Sequence, residues 1–308
     1  MGEYFVQNWR AQLQRAESAD RKEWIYRLAR PVLNAVMRRH LHPETLNMFR
    51  PDLVLPEFGF PLIARRKWAS CFDSLHGKTL LIQGTGNGWD VASWAKLKPH
   101  RIIAVDLFAF KNWEEISQYV RVNYDVQVEF RVASLDCLSF LDDQSIDLCA
   151  SDEVLEHVSD LGAVMRETRR ILKPGGLVYA TYGPLWYSAG GDHFARGGIK
   201  NVFNHLLLDE PDYKRYFESH KQITEDFQSG GRYVEIGLFS RLRTEEYLGI
   251  YHNYGFGLDC LVFQVSSQAA RFRKEYPDCF ERMMKRQPKC RQDDFMIKAH
   301  LVRLKKTG

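Results

Sequence analysis

The chain has 308 residues, 45% of them hydrophobic and 27% charged, a composition typical of a globular protein and not of a disordered one. No apolar run approaches the roughly 20 residues of a membrane-spanning helix, and the start "MGEYFVQNWRAQLQRAES" lacks the basic-then-apolar pattern of a secretory signal. The six cysteines show no metal-binding or redox spacing and are expected to be free thiols. We therefore expect a cytoplasmic protein without a membrane span.

The net charge of +4 conceals two basic ends. Residues 1–79 carry 13 Lys and Arg against 8 Asp and Glu, and residues 266–308 carry 12 against 5. These basic regions could attract an anionic partner. Alternatively, they are solvent-exposed faces of helices. Because the basic residues are scattered among acids, without an aromatic-plus-Arg recognition motif, we expect no nucleic-acid partner.

Residues 1–74 are predicted to form an N-terminal helical cap. The stretches "YFVQNWRAQLQRA" and "EWIYRLARPVLNAVMRRHL" space their apolar residues by three and four, as helices do. Pro31 should start or kink a helix. The proline-rich stretch from Pro51 to Pro61 is predicted to be a loop.

Residues 75–308 are predicted to form one α/β domain. Its predicted strands are "TLLIQ", "RIIAVDL", "VQVEFRV", "SIDLCASD", "LVYATY", "LDCLVFQV" and "DFMIKAHLVRLKK". Helical segments separate most of them, which indicates right-handed βαβ units and a doubly wound sheet of about seven mostly parallel strands. Residues 183–250 interrupt the alternation after the fifth strand and are predicted to be a large functional insertion.

A glycine-rich turn follows the first of these strands. Gly84, Gly86 and Gly88 lie between "TLLIQ" and a helical pattern, where glycine allows a sharp turn and a close approach to a ligand. Asp106 ends the second strand, in a position to accept the ribose hydroxyls of a nucleoside or, alternatively, to cap the next helix. The dehydrogenase pattern GxGxxG would need glycine at Trp89, and a second nucleotide-binding half is missing.

From Leu75 to Gly183, and more loosely in the two C-terminal strands, the sequence resembles the class I S-adenosylmethionine-dependent methyltransferases. The resemblance rests on "GTGNG", Asp106, "SDEVLEHVSD" and "ILKPGGLVYATY". It implies S-adenosylmethionine as the cofactor and a seven-stranded sheet whose last strand is antiparallel. The implied activity is methyl transfer. The absence of nucleic-acid motifs and the loop that carries Asp192 and His193 predict a small molecule or sugar as the acceptor partner.

The resemblance also implies which residues surround the cofactor. The three glycines would pass under its methionine and ribose, Asp106 would hold the ribose, and Leu107 would pack on the adenine. The residues after the third strand would meet the adenine, and the end of the fourth strand would face the methionine: Ser134, Leu135, Asp136, Ser151, Asp152 and Glu153. Ile82 and Ser134 stand where many members have acids, so a non-catalytic nucleoside-binding protein is the alternative.

The predicted insertion holds the candidate catalytic residues. Asp192 and His193 lie between two glycine pairs, and His193 is predicted to be the general base for a hydroxyl or amine, with Asp192 orienting its ring. A loop histidine with only local hydrogen bonds is the alternative. His157 is a further candidate that more simply shapes the pocket wall, and His205 is expected in a helix or core. A metal site of Asp192, His193 and His205 fits no standard spacing, so none is predicted.

Overall fold

The structure is a computed structural model. It describes residues 8–20, 23–57, 66, 74–194, 197–225 and 239–308. Within these ranges it contains a single sheet of eight strands, in the order β1-β7-β8-β6-β5-β2-β3-β4. The strands are β1 (Leu53–Pro56), β2 (Thr79–Gln83), β3 (Arg101–Asp106), β4 (Gln127–Val132), β5 (Ile146–Asp152), β6 (Leu172–Tyr182), β7 (Phe256–Val265) and β8 (Ile297–Lys306).

The predicted α/β fold class is confirmed, with one strand more than predicted. β8 runs antiparallel to both β6 and β7, and the other neighbouring strands are parallel. The extra strand is β1, which pairs in parallel with β7 at the edge of the sheet and lies in a stretch predicted to be a loop. Pro56 can end this strand because proline, which lacks an N–H donor, is tolerated at sheet edges.

Helices lie on both faces of the sheet. They are α1 (Trp9–Asp20), α2 (Glu23–Arg38), α3 (Pro43–Phe49), α4 (Trp89–Ala95), α5 (Trp113–Tyr124), α6 (Leu161–Ile171), α7 (Asn204–Leu207), α8 (Glu210–Glu225), α9 (Thr244–Asn253), α10 (Ser267–Glu275), α11 (Pro277–Arg286) and α12 (Gln292–Met296). Two buried hydrophobic clusters fill the spaces between the sheet and its helices.

α6 shows how the local sequence determines an element. Asp160 caps the helix by accepting a hydrogen bond from the Ala163 N–H at 2.9 Å, and the apolar residues at spacings of three and four are buried against the sheet. The helix ends at Ile171, and β6 begins at the next residue. The helix thus ends just before "KPGG", as predicted, but these four residues lie inside β6, with Gly175 at φ +71°.

The carboxyl ends of β2, β3, β4, β5 and β6 meet at one edge of the sheet. β2 pairs with β3 on one side and with β5 on the other, so the strand order reverses at β2. Open α/β sheets bind their ligands at such a reversal, outside the carboxyl ends of the strands. The glycine-rich turn that follows β2 lies at this point.

The stretch predicted as an insertion contains α7, α8 and α9 as well as residues 226–238, which lie outside the described ranges. α9 packs against α6 and β7 and so takes part in the regular connection of the sheet. Cys71 also lies outside the described ranges, and the other five cysteines are free thiols, as predicted. None of the described helices combines the length and apolar character needed to cross a membrane.

Candidate active site

The glycine-rich turn folds over the end of β3. The backbone N–H groups of Gly84 and Thr85 donate hydrogen bonds to the Val105 carbonyl, at 2.8 and 3.1 Å. The N–H of Gly86 donates to Oδ2 of Asp106 at 2.8 Å. The two features predicted to bind a nucleoside are therefore in direct contact.

The three glycines are needed for different reasons, although all three have positive φ. A Cβ at Gly84 would collide with the side chain of Val154, and one at Gly88 would lie 3.0 Å from Ile116 Cδ1. A Cβ at Gly86 would meet no protein atom within 4 Å. The backbone at Gly86 thus borders open space, as a loop that supports a ligand requires.

Neighbouring side chains hold this turn in place. Trp113 donates from its indole Nε1 to the Gly86 carbonyl at 2.8 Å, and its ring stacks on Phe130 with centroids 4.9 Å apart. Asn87 donates from Nδ2 to Oε1 of Gln12, in α1, at 2.7 Å. The turn is therefore tied to α5, β4 and the N-terminal helix.

Asp106 lies at the centre of the predicted nucleoside site. Its Oδ1 accepts the Phe108 N–H at 3.2 Å, and burial raises the pKa of its carboxyl, an effect that backbone N–H groups partly oppose. Leu107 and Phe108 are exposed beside it although both are large and apolar. The Ala133 N–H donates to the Asp106 carbonyl at 2.9 Å, which brings the next loop to this edge.

The other predicted cofactor residues lie around the same edge. In the loop after β4, Ser134 and Asp136 are exposed and Leu135 is buried. At the end of β5, Ser151 is buried, and its Oγ has no hydrogen-bond partner among the described residues. Glu153 is exposed with a left-handed backbone, φ +59°. Such backbone strain often marks a functional position.

Many methyltransferases have an acid two residues before the first glycine of the turn, where this chain has Ile82. Ile82 is buried in the core, as predicted from its apolar side chain. Glu57, an acid in the predicted N-terminal cap, forms an ion pair with Lys298 at 2.7 Å and accepts a hydrogen bond from Ser267. The group that would hold a cofactor ammonium therefore stays a prediction.

Arg66 is a site residue that the sequence analysis missed. Its buried guanidinium lies 2.5 Å from Oδ2 of Asp152 and 3.9 Å from Oδ2 of Asp90, and it stacks over the Trp94 ring at 4.5 Å. Tyr179 donates to the other Asp152 oxygen at 3.2 Å. The run Arg65-Arg66-Lys67 carries no motif, so only the folded chain shows that Arg66 fixes the end of β5.

Burial raises the pKa of Asp90 to about 7, and Arg66, which lies closer to Asp152, opposes this only in part. The folded protein therefore holds a proton on Asp90 that the unfolded chain has lost above its ordinary pKa of 3.8. The stabilisation that this proton provides is fully present below the unfolded pKa of 3.8, and it is lost as the pH rises towards the folded pKa of about 7.

We expect the free energy of unfolding of the wild type to fall by about 1 kcal/mol per pH unit between pH 5 and 7, relative to Asp90→Asn. Urea unfolding of the two proteins across this range measures the difference. Parallel pH profiles would contradict the raised pKa.

Three ionisable side chains converge near the carboxyl ends of β5 and β6. Two of them lie on the segment that follows β5, and the third lies on the predicted insertion. Glu156, His157 and His193 each place one nitrogen or oxygen atom within 4.8 Å of the other two. Oε1 of Glu156 accepts the Gly183 N–H at 3.0 Å, and burial raises the pKa of this carboxyl well above its usual value. One carboxylate and two imidazoles form a donor set that can hold a divalent transition metal.

His193 faces this cluster from a left-handed turn with φ +57°. Its ring lies 4.7 Å from the ring of His157, nearly perpendicular to it, and 5.2 Å from Phe239. The side chain is open to solvent on one side, but the protein around it and the nearby His157 lower its pKa, and a hydrogen bond to the Pro184 carbonyl opposes the shift. His193 is therefore neutral at pH 7, whereas the sequence argument used an unshifted pKa.

The predicted pairing of Asp192 with His193 is wrong. Asp192 points into the protein, where it accepts hydrogen bonds from the Tyr213 hydroxyl at 2.7 Å and the Phe194 N–H at 3.1 Å. Its Oδ1 lies 3.7 Å from Nδ1 of His205, whose Nε2 lies 2.8 Å from the Trp186 carbonyl. Asp192 and His205 thus stabilise the interior of the segment, as predicted for His205 but not for Asp192.

Residues 81–180, which run from β2 into β6, match the family described as a methyltransferase domain. Residues 81–180 therefore form a methyltransferase domain. The resemblance predicted from the sequence motifs is thereby confirmed, and S-adenosylmethionine is the cofactor of the domain.

Two curated relatives are similar to part of this chain. Ubiquinone biosynthesis O-methyltransferase of Xanthomonas oryzae pv. oryzae is 32% identical over 115 residues, 37% of this chain and 47% of that protein. Malonyl-[acyl-carrier protein] O-methyltransferase of Yersinia pestis is 32% identical over 102 residues, 33% of this chain and 35% of that protein. The match thus spans less than half the length of either relative.

A solved S-adenosylmethionine-dependent methyltransferase from Mesorhizobium loti is also similar to this chain. The two share 17% sequence identity with a TM-score of 0.47, over 77% of this chain and 94% of that one.

The residues of the methyltransferase domain fit its cofactor. The open space over Gly86 would admit the ligand, the Asp106 carboxylate can accept hydrogen bonds from ribose, and the exposed Leu107 and Phe108 offer an apolar surface to adenine. The role of each residue in binding stays a prediction.

Proposed function

We propose that the chain transfers the methyl group of S-adenosylmethionine to a hydroxyl group of a small molecule or sugar. The observation that carries this proposal is the histidine pair, His157 and His193, with rings 4.7 Å apart. Val154, three residues before His157, packs against Gly84, so the segment that carries His157 runs beside the glycine turn. A proton acceptor next to the cofactor loop is what methylation of a hydroxyl requires.

We propose that Asp106 holds the ribose and that Leu107, Ser134, Leu135 and Asp136 surround the adenine. Ser151, Asp152 and Glu153 would border the methionine end, with Asp152 fixed by Arg66. The division into a cap, residues 1–74, and a methyltransferase domain, residues 75–308 with an insertion at 183–250, belongs to the same proposal. S-adenosylmethionine supplies a methyl group that is activated by its sulfonium, so few protein groups need to act chemically.

His193 would accept the proton of the acceptor hydroxyl. Its ring makes a hydrogen bond to the Pro184 carbonyl, which fixes one nitrogen as the donor and leaves the other as an acceptor. The lowered pKa keeps the ring neutral at pH 7, so that its free nitrogen can accept a proton, and it also makes the imidazole a weaker base than an exposed histidine. The two relatives are named O-methyltransferases, which supports an oxygen rather than an amine as the methyl acceptor.

Binding and transfer measurements test this proposal. Calorimetry should detect both S-adenosylmethionine and its demethylated product. Labelled methyl groups should then reach hydroxyl-bearing acceptors, phenols and sugars, in preference to their amine counterparts. Binding without transfer to any acceptor would instead favour the non-catalytic nucleoside-binding protein.

A second candidate is metal-assisted transfer, which the convergence of Glu156, His157 and His193 favours. In that case His193 would be a metal ligand and not a general base. The bound cation would lower the pKa of the acceptor hydroxyl. For the metal-free mechanism, we expect transfer to persist in EDTA and the Glu156→Gln variant to bind Mn²⁺ and Zn²⁺ no differently from the wild type. Activity lost in EDTA and restored by one of these cations would establish the second candidate.

A further inference from the structure

α2 is apolar on two sides. Tyr26, Leu33 and Met37 face inward and pack against the hydrophobic clusters. The opposite side carries five large apolar residues whose exposed fractions lie between 41% and 71%: Trp24, Ile25, Leu28, Val32 and Val36. We call these five residues the α2 stripe.

The α2 stripe is continuous. At 3.6 residues per turn its members fall within a sector of about 120°, and the 16-residue helix is about 24 Å long. Pro31 and Ala35, which are also exposed, lie within or next to the same sector. A surface helix normally turns a polar face to water, so an apolar stripe of this length indicates an interaction surface.

The charges around the stripe indicate the kind of partner. Between Glu23 and Arg39 the sequence contains four arginines, Arg27, Arg30, Arg38 and Arg39, and a single acid, Glu23. Arg27, about one turn into the helix, and Arg39, just after it, are exposed, whereas Arg38 donates hydrogen bonds to Asn34 Oδ1 and the Pro51 carbonyl. Apolar side chains that include a tryptophan, flanked by arginine, are characteristic of helices that lie in the surface of anionic membranes.

We propose that the α2 stripe docks this protein on the surface of an anionic lipid bilayer. The helix would lie in the plane of the surface, with the five apolar side chains among the acyl chains and Arg27 and Arg39 at the lipid phosphates. A second copy of the chain fits the stripe less well, because two α2 helices packed together would bring Arg27 and Arg39 of both copies into one interface, and residues 24–39 contain no acid to pair with them.

The position of α2 leaves the active site accessible. α2 packs on β1, the edge strand, whereas the glycine turn follows β2, five strands away in the sheet. At about 4.8 Å between neighbouring strands, the two lie about 24 Å apart. Docking therefore does not depend on the proposed methyl transfer, and each can fail without the other.

Vesicle flotation tests the proposal. The full chain is mixed with vesicles of phosphatidylcholine alone or of equal parts phosphatidylcholine and phosphatidylglycerol. We expect binding to the anionic vesicles and at least about a tenfold loss of partitioning in Leu28→Ser/Val32→Ser, because burial of apolar area drives such binding. Val122→Ser is the matched control, since Val122 is an exposed apolar residue on α5.

Two further measurements test the role of charge and the possibility that a second copy of the chain covers the stripe. Arg27→Gln/Arg39→Gln should weaken binding to anionic vesicles, and added salt should do the same. Equal partitioning of the stripe variant and the Val122→Ser control would overturn the proposal. So would a dimer of the wild type that Leu28→Ser/Val32→Ser dissociates in the absence of lipid, because a second copy would then cover the stripe.

Acrylamide quenching of Trp24, obtained as the difference between the wild type and Trp24→Phe, completes the test. We expect strong quenching in the free protein and protection when anionic vesicles are added. Protection without lipid would show that another part of the chain covers the stripe, and would also overturn the proposal.

Discussion

Replacing His193 with alanine is expected to lower kcat by about 10²- to 10⁴-fold, the usual contribution of a general base. The affinity for S-adenosylmethionine should stay nearly constant, because the His193 ring contacts His157 and Phe239 whereas the nucleoside residues surround Asp106. His193→Gln should be almost as damaging, since an amide can keep a hydrogen bond but cannot take the proton. Steady-state kinetics together with calorimetry measure both quantities.

The pH profile and a control variant complete this prediction. Because the pKa of His193 is lowered, the imidazole is already neutral, and the wild-type rate should not rise as the pH passes the usual histidine range. The rate should fall only at a pH low enough to protonate the ring. His100→Ala, at an exposed position before β3, should leave kcat unchanged. If His193→Ala kept more than about a tenth of the wild-type kcat, His193 would not be the base.

Replacing Gly86 with valine is expected to abolish cofactor binding, with an affinity loss of at least about 100-fold, or 2.7 kcal/mol. The added side chain would occupy the open space over the turn. Gly77→Val is the matched control because Gly77 also has positive φ, +74° against +52°, and its Cβ would likewise meet no protein atom within 4 Å.

Both valine variants should show the same backbone strain, about 1–2 kcal/mol of lost stability, but only Gly86→Val should lose the ligand. Thermal unfolding and calorimetry on the two proteins separate the effects. Equal affinities in the two variants would mean that the cofactor does not lie over Gly86.

Seven of the eight strands and the glycine turn were predictable because their signals are local. β2, for example, has consecutive apolar residues and is followed directly by a glycine, so a short stretch of sequence predicts both the strand and its end. β1 was missed because it has only four residues and ends in proline, and its partner, β7, follows some 200 residues later. Long-range pairing of that kind leaves no local pattern.

The candidate site was less predictable than the fold because several of its contacts join distant segments. Arg66 meets Asp152 across 86 residues of sequence. Asp192 and His193 are adjacent in sequence, yet the left-handed turn leaves His193 outside while Asp192 is buried. Their adjacency in the sequence therefore suggested a catalytic pair, but the fold separates the two side chains. Glu156 was overlooked because only the fold buries it and brings it close to His157 and His193.

The hydrogen bond between Asn87 and Gln12 has a consequence for ligand affinity. It joins the cofactor turn to α1, which is held in addition by Trp9 and Arg10 donating to Glu115. Order in the N-terminal helix and occupancy of the turn are therefore thermodynamically linked, and each stabilises the other by the same coupling free energy. A chain shortened before α2 would show this coupling as weaker ligand binding, although the deleted helix need not touch the ligand.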